Sequence, residues 1–471
     1  MRRFVTPENK KWWTLAAVSV GLFMIMLDNT VVNVALPSMR RSLHMSLSEL
    51  EWVVAGYALT FAAFMLTGGK LADFLGRRRV FMTGLMVFTG ASLACGLAPN
   101  GGFLIGARVV QGLGGAMMNP ATLSIVTATF PPRERGRAIG IWAGVSAMAL
   151  AIGPLVGGLL TEHVNWQWIF FINVPIGVAG LFAIPIFIDE SRDQTVEQRL
   201  DAPGLAASAI GLFSLTYGFI EANNYGWTSG RILGSFALAI VALVTFVLLE
   251  RHQRAPMLDL SLFRQRTFSG ANGSMLFVGL AMFGTFFFVS LYMQNVLGYS
   301  PVQAGATFLP MTLLIIALAP RAGALTDRVG SRWLVGGGMV LLAGMLFYFS
   351  QLGLHESFWS LLPGLVLGGV GMSCTMTPTT AAAMSAVSVD QAGVGSAVLN
   401  SSRQVGGSVG IAVMGSIVGG AATFLDGFHD ALRLGAGLCL VGATLAVAAI
   451  RKIEHAQPEQ APAEQRAMEL A

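Results

Sequence analysis

Charged side chains are scarce in this chain of 471 residues. Asp, Glu, Lys and Arg make up 11% of it, against about 25% in a soluble globular protein, whereas 54% of its residues are hydrophobic. A chain this apolar has too few polar side chains to cover a water-soluble fold. Most of it must face lipid, and the net charge of +5 is better explained by basic loops at a membrane than by nucleic-acid binding.

Cysteine and histidine are too few and too dispersed to build a metal or cofactor centre. The three cysteines lie far apart in apolar runs, which excludes a disulfide framework. No two of the six histidines have the i,i+4 spacing of a helical metal site. No Walker-type phosphate loop and no nucleophile–base constellation is visible. The sequence therefore predicts no enzyme, no bound metal, no cofactor and no use of ATP.

Long apolar segments dominate what remains. About 20 apolar residues cross a bilayer as a helix, and fourteen such segments occur, separated by short loops. They fall near 13–36, 51–71, 80–98, 103–129, 137–160, 167–188, 203–221, 231–250, 267–294, 301–320, 333–352, 358–384, 393–420 and 430–450. The first is too long for a signal-peptide core, so we expect it to be an uncleaved span. The pattern predicts an all-α integral membrane protein with fourteen transmembrane helices.

Basic residues are distributed unevenly between the two sides of this predicted bundle. If both termini are cytoplasmic, 23 of the 29 Lys and Arg residues fall on that side and four fall outside. Cytoplasmic loops carry the excess of Lys and Arg, so both termini are predicted to be cytoplasmic. The tail, residues 453–471, is polar and contains proline, and we expect it to be disordered.

An internal repeat indicates how the spans are grouped. GKLADFLGRRR, starting at Gly69, follows the second span, and GALTDRVGSRW, starting at Gly323, follows the tenth. Two equal sets of seven spans would place the second copy outside the cell. The repeat therefore predicts two pseudo-symmetric six-helix bundles, residues 1–190 and 266–452, with two extra helices inserted at 191–265. Many secondary transporters consist of repeated halves with the binding site between them.

The repeated loop predicts a conformational latch. Its glycines permit a tight turn between antiparallel spans, and its Asp and Arg side chains can pair beside a helix end. Such a pair would be intact in one arrangement of the two bundles and strained in the other. A plain basic loop is the alternative, although it does not account for the recurring Asp. The predicted latch residues are Gly69, Asp73, Gly76, Arg77, Arg78, Asp327 and Arg332.

One carboxylate, Asp28, interrupts the first span. An ionised Asp is costly there, so it is expected to face a cavity or a partner. We interpret Asp28 as a proton-binding residue; the alternative is that it caps a broken helix or bonds a neighbouring span. In the fourth span Arg108, Gln111, Gly112 and Gly115 share one helix face. Arg108 could pair with Asp28, face a water-filled cavity, bond carbonyls of the first span, or simply brace two helices.

Other polar residues are candidates for a substrate cavity. Asn400, Arg403 and Gln404 share one face of the thirteenth span, either as a cavity wall or as a structural hydrogen-bond network. Glu221 ends the seventh span and ranks low, because a Glu at a membrane interface is usually solvated. The cavity candidates are Asp28, Asn29, Asn33, Gln111, Tyr217, Glu221, Asn400, Arg403 and Gln404.

The fifth span is rich in glycine. It carries Gly144, Gly153, Pro154, Gly157 and Gly158, which membrane helices tolerate where neighbouring groups satisfy the freed backbone. The pattern predicts a smooth, bendable helix packed tightly on its partner. A role of this helix in setting the direction of transport would be a further inference from the pattern.

Six motifs, in order along the chain, resemble the fourteen-span drug:proton antiporter family of the major facilitator superfamily, in its bacterial form. They are LDNTVVNVALP from Leu27, the loop from Gly69, RVVQG from Arg108, GPLVGG from Gly153, WQWIFFINVP from Trp166 and NSSRQVGG from Asn400. Each motif alone is weak, but six in register are specific. Within the superfamily the glycine–proline motif of the fifth span is the mark of antiporters.

The resemblance implies alternating access, in which hydrophobic or amphipathic drugs or antibiotics, often cationic, leave in exchange for protons. Asp28 would carry the proton, and Arg108 would adjust the affinity of Asp28 for that proton and relay it. Asp73 with its arginines would lock one conformational state of the transporter. It also implies a multi-pass monomer in the bacterial cytoplasmic (inner) membrane, with or without a periplasmic adaptor.

Spans nine to fourteen lack the internal carboxylates of those family members that handle dications, which favours monocations or neutral compounds. Two other functions stay open. One is export of a native metabolite or lipid by the same fold. The other is a non-transporting membrane scaffold or sensor, in which Asp28 and Arg108 could be neutralised without loss of function.

Overall fold

Helices make up nearly all of the described chain. The computed structural model describes residues 9–192, 201–253, 256–387 and 391–451, and these contain α-helices, a 3₁₀ helix (Leu260–Arg264) and no strand. The α-helices are α1 (Lys10–Leu43), α2 (Leu47–Leu75), α3 (Arg77–Gly96), α4 (Gly101–Thr129), α5 (Pro132–His163), α6 (Trp168–Phe171), α7 (Asn173–Phe187), α8 (Ala202–Tyr225), α9 (Gly230–His252), α10 (Arg266–Asn295), α11 (Pro301–Thr307), α12 (Leu309–Val329), α13 (Ser331–Phe349), α14 (Phe358–Ser385), α15 (Ala392–Gly420) and α16 (Phe424–Ala449). The prediction of an all-α fold is confirmed for these residues. The predicted disordered tail lies outside them.

Eleven helical segments of the described chain are long and apolar enough to cross a membrane, and up to twelve if the bent helix α5 is included. Helices α6 and α7 form one such segment together, and so do α11 and most of α12. Helices α4 and α15 each have 29 residues but are not among the eleven. The multi-pass membrane fold is confirmed at this level, and the count of fourteen spans stays a prediction.

Polar caps fix the start of several helices. At the start of α2 the Ser46 side chain accepts from the Glu49 backbone, and the Glu49 side chain accepts from the Ser46 backbone. Ser300 and Gln303 form the same capping box at the start of α11. Both boxes lie at the end of the bundle where α1 finishes. We call this end distal, and the end where α1 begins, at Lys10, proximal.

The helices form two groups. Helices α1 to α7 pack mainly on one another, and so do α10 to α16. The groups meet through α1 and α10, through α2 and α15, and through α5 with α11 and α12. The hairpin of α8 and α9 lies to one side, and α8 packs on α2 and α15, one helix from each group. The arrangement of two six-helix bundles with an inserted pair, and the predicted domain boundaries, stay predictions.

Hydrogen bonds join the two groups at the distal end. The Ser290 hydroxyl of α10 donates to the Asn33 carbonyl of α1 at 2.9 Å. At the junction of α5 and α11, the Val302 backbone N–H donates to the Glu162 carboxylate at 2.8 Å. These bonds hold the distal ends of α10 and α11 against the first group.

Helix α5 bends by 40° between Leu150 and Ile152. Pro154 explains the bend, because it has no N–H to donate to the carbonyl of Leu150 and its ring crowds that carbonyl. The bend divides α5 into a proximal half and a distal half with different surroundings.

The distal half of α5 is closely packed and its proximal half is open. A Cβ added at Gly158 would lie 2.4 Å from the Pro301 carbonyl oxygen of α11, and one at Gly157 would lie 2.5 Å from the Val31 carbonyl oxygen of α1. A Cβ at Gly144 would meet no atom within 4 Å. The two helix groups are therefore closed together at the distal end, where α5 meets α11, and α5 is exposed toward the proximal end.

Two glycines at the same position of the repeated loop have a positive φ, 117° at Gly76 and 89° at Gly330. L-residues with side chains rarely adopt this backbone conformation. Gly76 is also crowded, since a Cβ there would lie 2.6 Å from Glu190 Oε1. The repeat in the sequence thus corresponds to a repeated turn that needs glycine.

We expect Gly76→Ala to lower the free energy of unfolding by about 1–3 kcal/mol, because it combines a strained φ with a collision against Glu190. Gly90→Ala in α3 is the matched control, since a Cβ there meets no atom within 4 Å and alanine favours a helix. Thermal unfolding of both variants in detergent gives the comparison. Equal unfolding temperatures for the two would contradict the geometry of this turn.

Candidate functional site

The first helix group encloses a buried ion pair. An Nη1 group of Arg108, in α4, donates to Oδ2 of Asp28, in α1, and both residues are 1% exposed. Either charge alone would be costly at this depth, and each compensates the other. The sequence left the partner of Arg108 open, and in the structure that partner is Asp28.

Gln111 extends the pair into a network. Its Oε1 accepts from Arg108 Nη1 at 2.6 Å, and its Nε2 donates to Asp28 Oδ1 at 2.9 Å. The same Nε2 donates to the Ser92 hydroxyl of α3 at 2.9 Å. Because Arg108 and Gln111 are three residues apart on one helix face, both reach the same carboxylate.

Helix α2 makes two further contacts with the Arg108 guanidinium group. Arg108 Nε donates to the Val53 carbonyl at 3.1 Å, and its Cζ lies 4.2 Å from the centroid of the Tyr57 ring, a cation–π geometry. The sequence had offered carbonyls of the first span as possible partners of Arg108. The carbonyl that Arg108 bonds, Val53, belongs to the second span instead. Arg108 thus braces α1, α2 and α4 while it faces the candidate proton-binding carboxylate.

Two glycines beside Arg108 let α2 come close. A Cβ at Gly112 would lie 2.5 Å from the Tyr57 carbonyl oxygen, and one at Gly115 would lie 3.0 Å from the Phe61 ring. Small residues permit such close helix contacts in membranes. The glycines therefore bring the Val53 carbonyl within reach of Arg108.

Asn29 and Asn33 of α1 do not bond the Asp28 carboxylate. Asn29 is half-buried, and its Nδ2 donates to the Ile25 carbonyl at 2.8 Å. Asn33 contributes its backbone carbonyl to the distal contact with Ser290. Both stay candidates for a substrate cavity.

A second polar cluster lies on α15. Arg403 Nη2 donates to Asn400 Oδ1 at 3.3 Å, and Asn400 Nδ2 donates to the Ser396 carbonyl at 3.1 Å. Gln404 is 2% exposed. Arg403 makes no salt bridge with any carboxylate of the described chain. The choice between a cavity wall and a structural network stays open for this cluster.

Tyr217 and Glu221 lie apart from both clusters, at the distal end of α8. Glu221 accepts from Trp52 Nε1 at 3.2 Å and from Asn224 Nδ2 at 2.8 Å. The Tyr217 ring lies 6.4 Å from the Trp52 ring. The expectation that Glu221 is merely solvated is corrected, because it joins α8 to α2.

The first copy of the predicted latch forms ion pairs within the first helix group. Arg77 pairs with Asp73 at 2.8 Å. Arg78 pairs with Glu190 at 3.9 Å, and its backbone N–H donates to the same carboxylate at 3.1 Å. The loop between α2 and α3 is thereby tied to the segment after α7. Gly69 packs against Pro120 of α4, 3.4 Å from where its Cβ would lie.

The second copy differs. The Arg332 guanidinium lies 5.1 Å from the Trp333 ring. The side chain of Asp327 lies outside the described part of the structure. The latch role of these residues stays a prediction.

Sequence reasoning missed several members of the buried network. Asn173 is 1% exposed, and its Nδ2 lies 3.5 Å from the Ser92 hydroxyl to which it donates. Asn173 belongs to the family motif that starts at Trp166, and its place in that motif could have identified it as a candidate. Ser92 and Tyr57 lie in apolar spans, and no feature of the sequence distinguishes them from other polar residues there.

A family model described as Major Facilitator Superfamily matches residues 18–411. The match covers every residue of the buried network and most of the second helix group. The chain belongs to the major facilitator superfamily. It is therefore a membrane transporter rather than an enzyme, as the sequence predicted.

Two relatives and one solved structure are similar over most of the chain. The tetracenomycin C resistance and export protein of Streptomyces glaucescens is 37% identical over 423 residues, 90% of this chain and 78% of that protein. The multidrug resistance protein Stp of Mycobacterium tuberculosis is 38% identical over 408 residues, 86% of this chain and 75% of that protein. A crystal structure of the peptide transporter POT with sulfate has a TM-score of 0.69 at 16% identity, covering 92% of this chain and 94% of that chain. That structure shows the fold alone, and the relatives confirm the resemblance to drug-resistance transporters.

Breaking the ion pair should destabilise this transporter. Asp28→Asn leaves the Arg108 charge buried without a counter-charge, and breaking a buried pair costs about 3–5 kcal/mol. The double variant with Arg108→Gln should lose less than the sum of the two single losses, because no charge is then stranded. Unfolding in detergent measures all four proteins.

Asp189→Asn is the control for that cycle, since it breaks the exposed Lys10–Asp189 pair, which is worth about 0–1 kcal/mol. Strictly additive losses for Asp28 and Arg108 would show that the two side chains do not interact.

Proposed function

We propose that this protein exports hydrophobic or amphipathic compounds, drugs or antibiotics among them, in exchange for protons across the bacterial cytoplasmic membrane. The observation that carries the proposal is the buried Asp28–Arg108 pair in the core of a transporter fold. Relatives named for tetracenomycin C resistance and export and for multidrug resistance support small organic substrates. The proximal end faces the cytoplasm, as the excess of basic residues there favours.

The proposal includes fourteen spans, with α4 and α15 completing the set. At 1.5 Å per residue, 29 helical residues extend over about 43 Å, more than the hydrocarbon core of about 30 Å. Arg108 and Gln111 of α4, and Gln404 and Ser408 of α15, are buried inside the protein. Such residues lower the mean hydropathy of a helix without exposing a polar group to lipid.

Protonation of Asp28 changes what holds Arg108. With Asp28 ionised, the guanidinium group is shared among that carboxylate, Gln111 and the Val53 carbonyl. When Asp28 takes up a proton, Arg108 loses its counter-charge and keeps only the neutral partners on α2 and α4. The attachment of α1 to α4 weakens as a result. Because α1 also meets α10 of the second group at the distal end, the change reaches the interface between the two halves.

A substrate cation does not compete with the proton directly in this geometry. Both oxygens of Asp28 are engaged, Oδ2 by Arg108 and Oδ1 by Gln111, so a cation could approach only after Arg108 moved. We infer that coupling is indirect, with substrate and proton each favouring a different arrangement of the halves. The lack of carboxylates inside spans nine to fourteen favours monocations and neutral compounds.

The arrangement described here corresponds to a cytoplasm-open state in this scheme. The distal ends are held together by contacts of α1 with α10 and of α5 with α11, while the proximal half of α5 is exposed. The ion pairs of Asp73 and Glu190 would latch the α2–α3 loop in this state. We further infer that the protein works as a monomer, with a periplasmic adaptor as an optional partner.

Asp28→Asn should abolish proton-driven transport, because the variant cannot bind and release the proton. The measurement is ethidium uptake into everted vesicles with an imposed acid interior, at equal expression. Native protein should give uptake that depends on the gradient, and Asp28→Asn should match vesicles that lack the protein. Asp189→Asn, which removes an exposed carboxylate, should transport like the native protein.

Equal uptake by the native protein and Asp28→Asn would remove Asp28 from coupling. Uptake by the native protein that does not depend on the gradient would contradict proton exchange itself.

Gly158→Ala should disfavour distal closure, because the added methyl group collides with the Pro301 carbonyl. Disulfide formation between Glu162→Cys and Val302→Cys reports that closure. Its yield should fall in the Gly158→Ala background and stay unchanged with Gly106→Ala, whose Cβ meets no atom within 4 Å. An unchanged yield with Gly158→Ala would show that this contact does not control closure.

A further inference from the structure

A second carboxylate is buried where the two helix groups meet. Glu51 lies near the distal start of α2 and is 2% exposed. Its carboxylate faces α15 of the other group, since a Cβ added at Gly415 would lie 2.1 Å from Glu51 Oε1 and 2.5 Å from Oε2. Glycine at position 415 leaves the space that this carboxylate occupies. Glu51 can therefore be buried in this way only while α2 and α15 are in contact at the distal end.

Within the described ranges, no positive charge pairs with Glu51, and its carboxylate takes part in no hydrogen bond. A second carboxylate, that of Glu221 in α8, lies 3.2 Å from Nε1 of the adjacent Trp52. Burial without a partner and a neighbouring like charge both disfavour an ionised acid. These surroundings favour the neutral, protonated form of the Glu51 side chain.

Several charged groups near α2 have other partners. Arg108 of α4 is paired with Asp28. Glu49 accepts from Ser46 in the capping box of α2. Arg231 of α9 lies over the Tyr225 ring, with Cζ 3.9 Å from its centroid. From α15 the neighbour of Glu51 is Gly415, which carries no charge. Arg403 of the same helix is twelve residues from Gly415, which is more than three helical turns.

The inserted hairpin places Glu221 beside this junction. Trp52, next to Glu51 in sequence, donates to Glu221 at 3.2 Å, and Asn223 Nδ2 donates to the Ser416 carbonyl of α15 at 2.7 Å. Helix α8 therefore spans the contact between α2 and α15 and brings a second negative charge to it.

We propose that Glu51 is a second proton-binding site, which is protonated while the distal ends of the two halves are closed and ionises when they separate. Separation of α2 from α15 would admit water to the carboxylate, and hydration stabilises its ionised form. This inference rests on the alternating access of the proposed function.

The site takes its proton from the distal side and returns it to the same side. Closure buries a Glu51 that has bound a proton from the outer medium, and reopening releases that proton to the outer medium. Glu51 therefore adds nothing to the number of protons carried per cycle, unlike Asp28. It makes distal closure depend on external acid, so that an acidic exterior promotes return to the cytoplasm-open state.

The test measures distal closure without substrate. Spin labels on Ser42→Cys, at the exposed distal end of α1, and His355→Cys, in the exposed loop after α13, report the distance between the two halves by electron–electron double resonance. The native cysteines are replaced beforehand, and the purified protein is studied in lipid nanodiscs over a pH series. We expect a short distance at acid pH and a growing long-distance population as the pH rises.

Glu51→Gln imitates the protonated acid and should keep the short distance across the whole series. Glu49→Gln, two residues earlier on the same helix, should respond to pH like the native protein. Glu221→Gln should move the transition to lower pH, because it removes the neighbouring negative charge. A pH response in Glu51→Gln equal to that of the native protein would overturn the proposal, and so would the absence of any response in the native protein.

Gly415→Ala gives a second, independent variant. Its methyl group occupies the space of the Glu51 carboxylate, so the long-distance population should rise at every pH. An unchanged distance distribution would contradict the packing of Glu51 against α15. The series is repeated with Asp28→Asn, in which the Glu51 response should persist. A loss of the response with Asp28→Asn would assign it to Asp28 instead. These distances need no substrate, so failure of ethidium transport would contradict the proposed function without affecting this result.

Discussion

An ionised carboxylate inside an apolar helix bundle is stable only beside a positive charge, and Arg108 supplies that charge to Asp28. The rest of the first helix group is arranged around this pair. Gln111 bonds both partners, the Val53 carbonyl accepts from the guanidinium Nε, and Ser92 connects α3 to the same network. Four helices thus share one buried network of charged and polar groups.

The two helix groups approach each other closely at several glycines. Glycines of α5 meet carbonyl groups of α1 and α11, and Gly415 of α15 leaves room for Glu51 of α2. Contacts of this kind depend on distances of a few tenths of an ångström. Such contacts are therefore either made or lost, as the alternating access of the proposed function would require.

Two of the buried carboxylates, Asp28 and Glu51, have opposite electrostatic surroundings. Asp28 lies within one helix group and is paired with an arginine. Glu51 lies between the groups, and no cation pairs with it in the described ranges. Under the two proposals, this difference in position would separate a residue that carries a proton through the cycle from one that responds to the outer medium.

The sequence by itself determined the membrane class, the helical fold and the family, and it singled out Asp28 and Arg108 as candidates. These follow from local properties, namely long apolar segments, rare charges within them and motifs in a fixed order. The repeated loop also predicted its own turn, because the positive φ of Gly76 and Gly330 is a local demand on the backbone. Only the tertiary structure decided that Asp28 and Arg108 touch, that Val53 and Ser92 complete their network, and that Glu51 lies against Gly415. Those contacts join residues up to 364 positions apart, and helix crossings, which depend on packing across the whole bundle, set their distances.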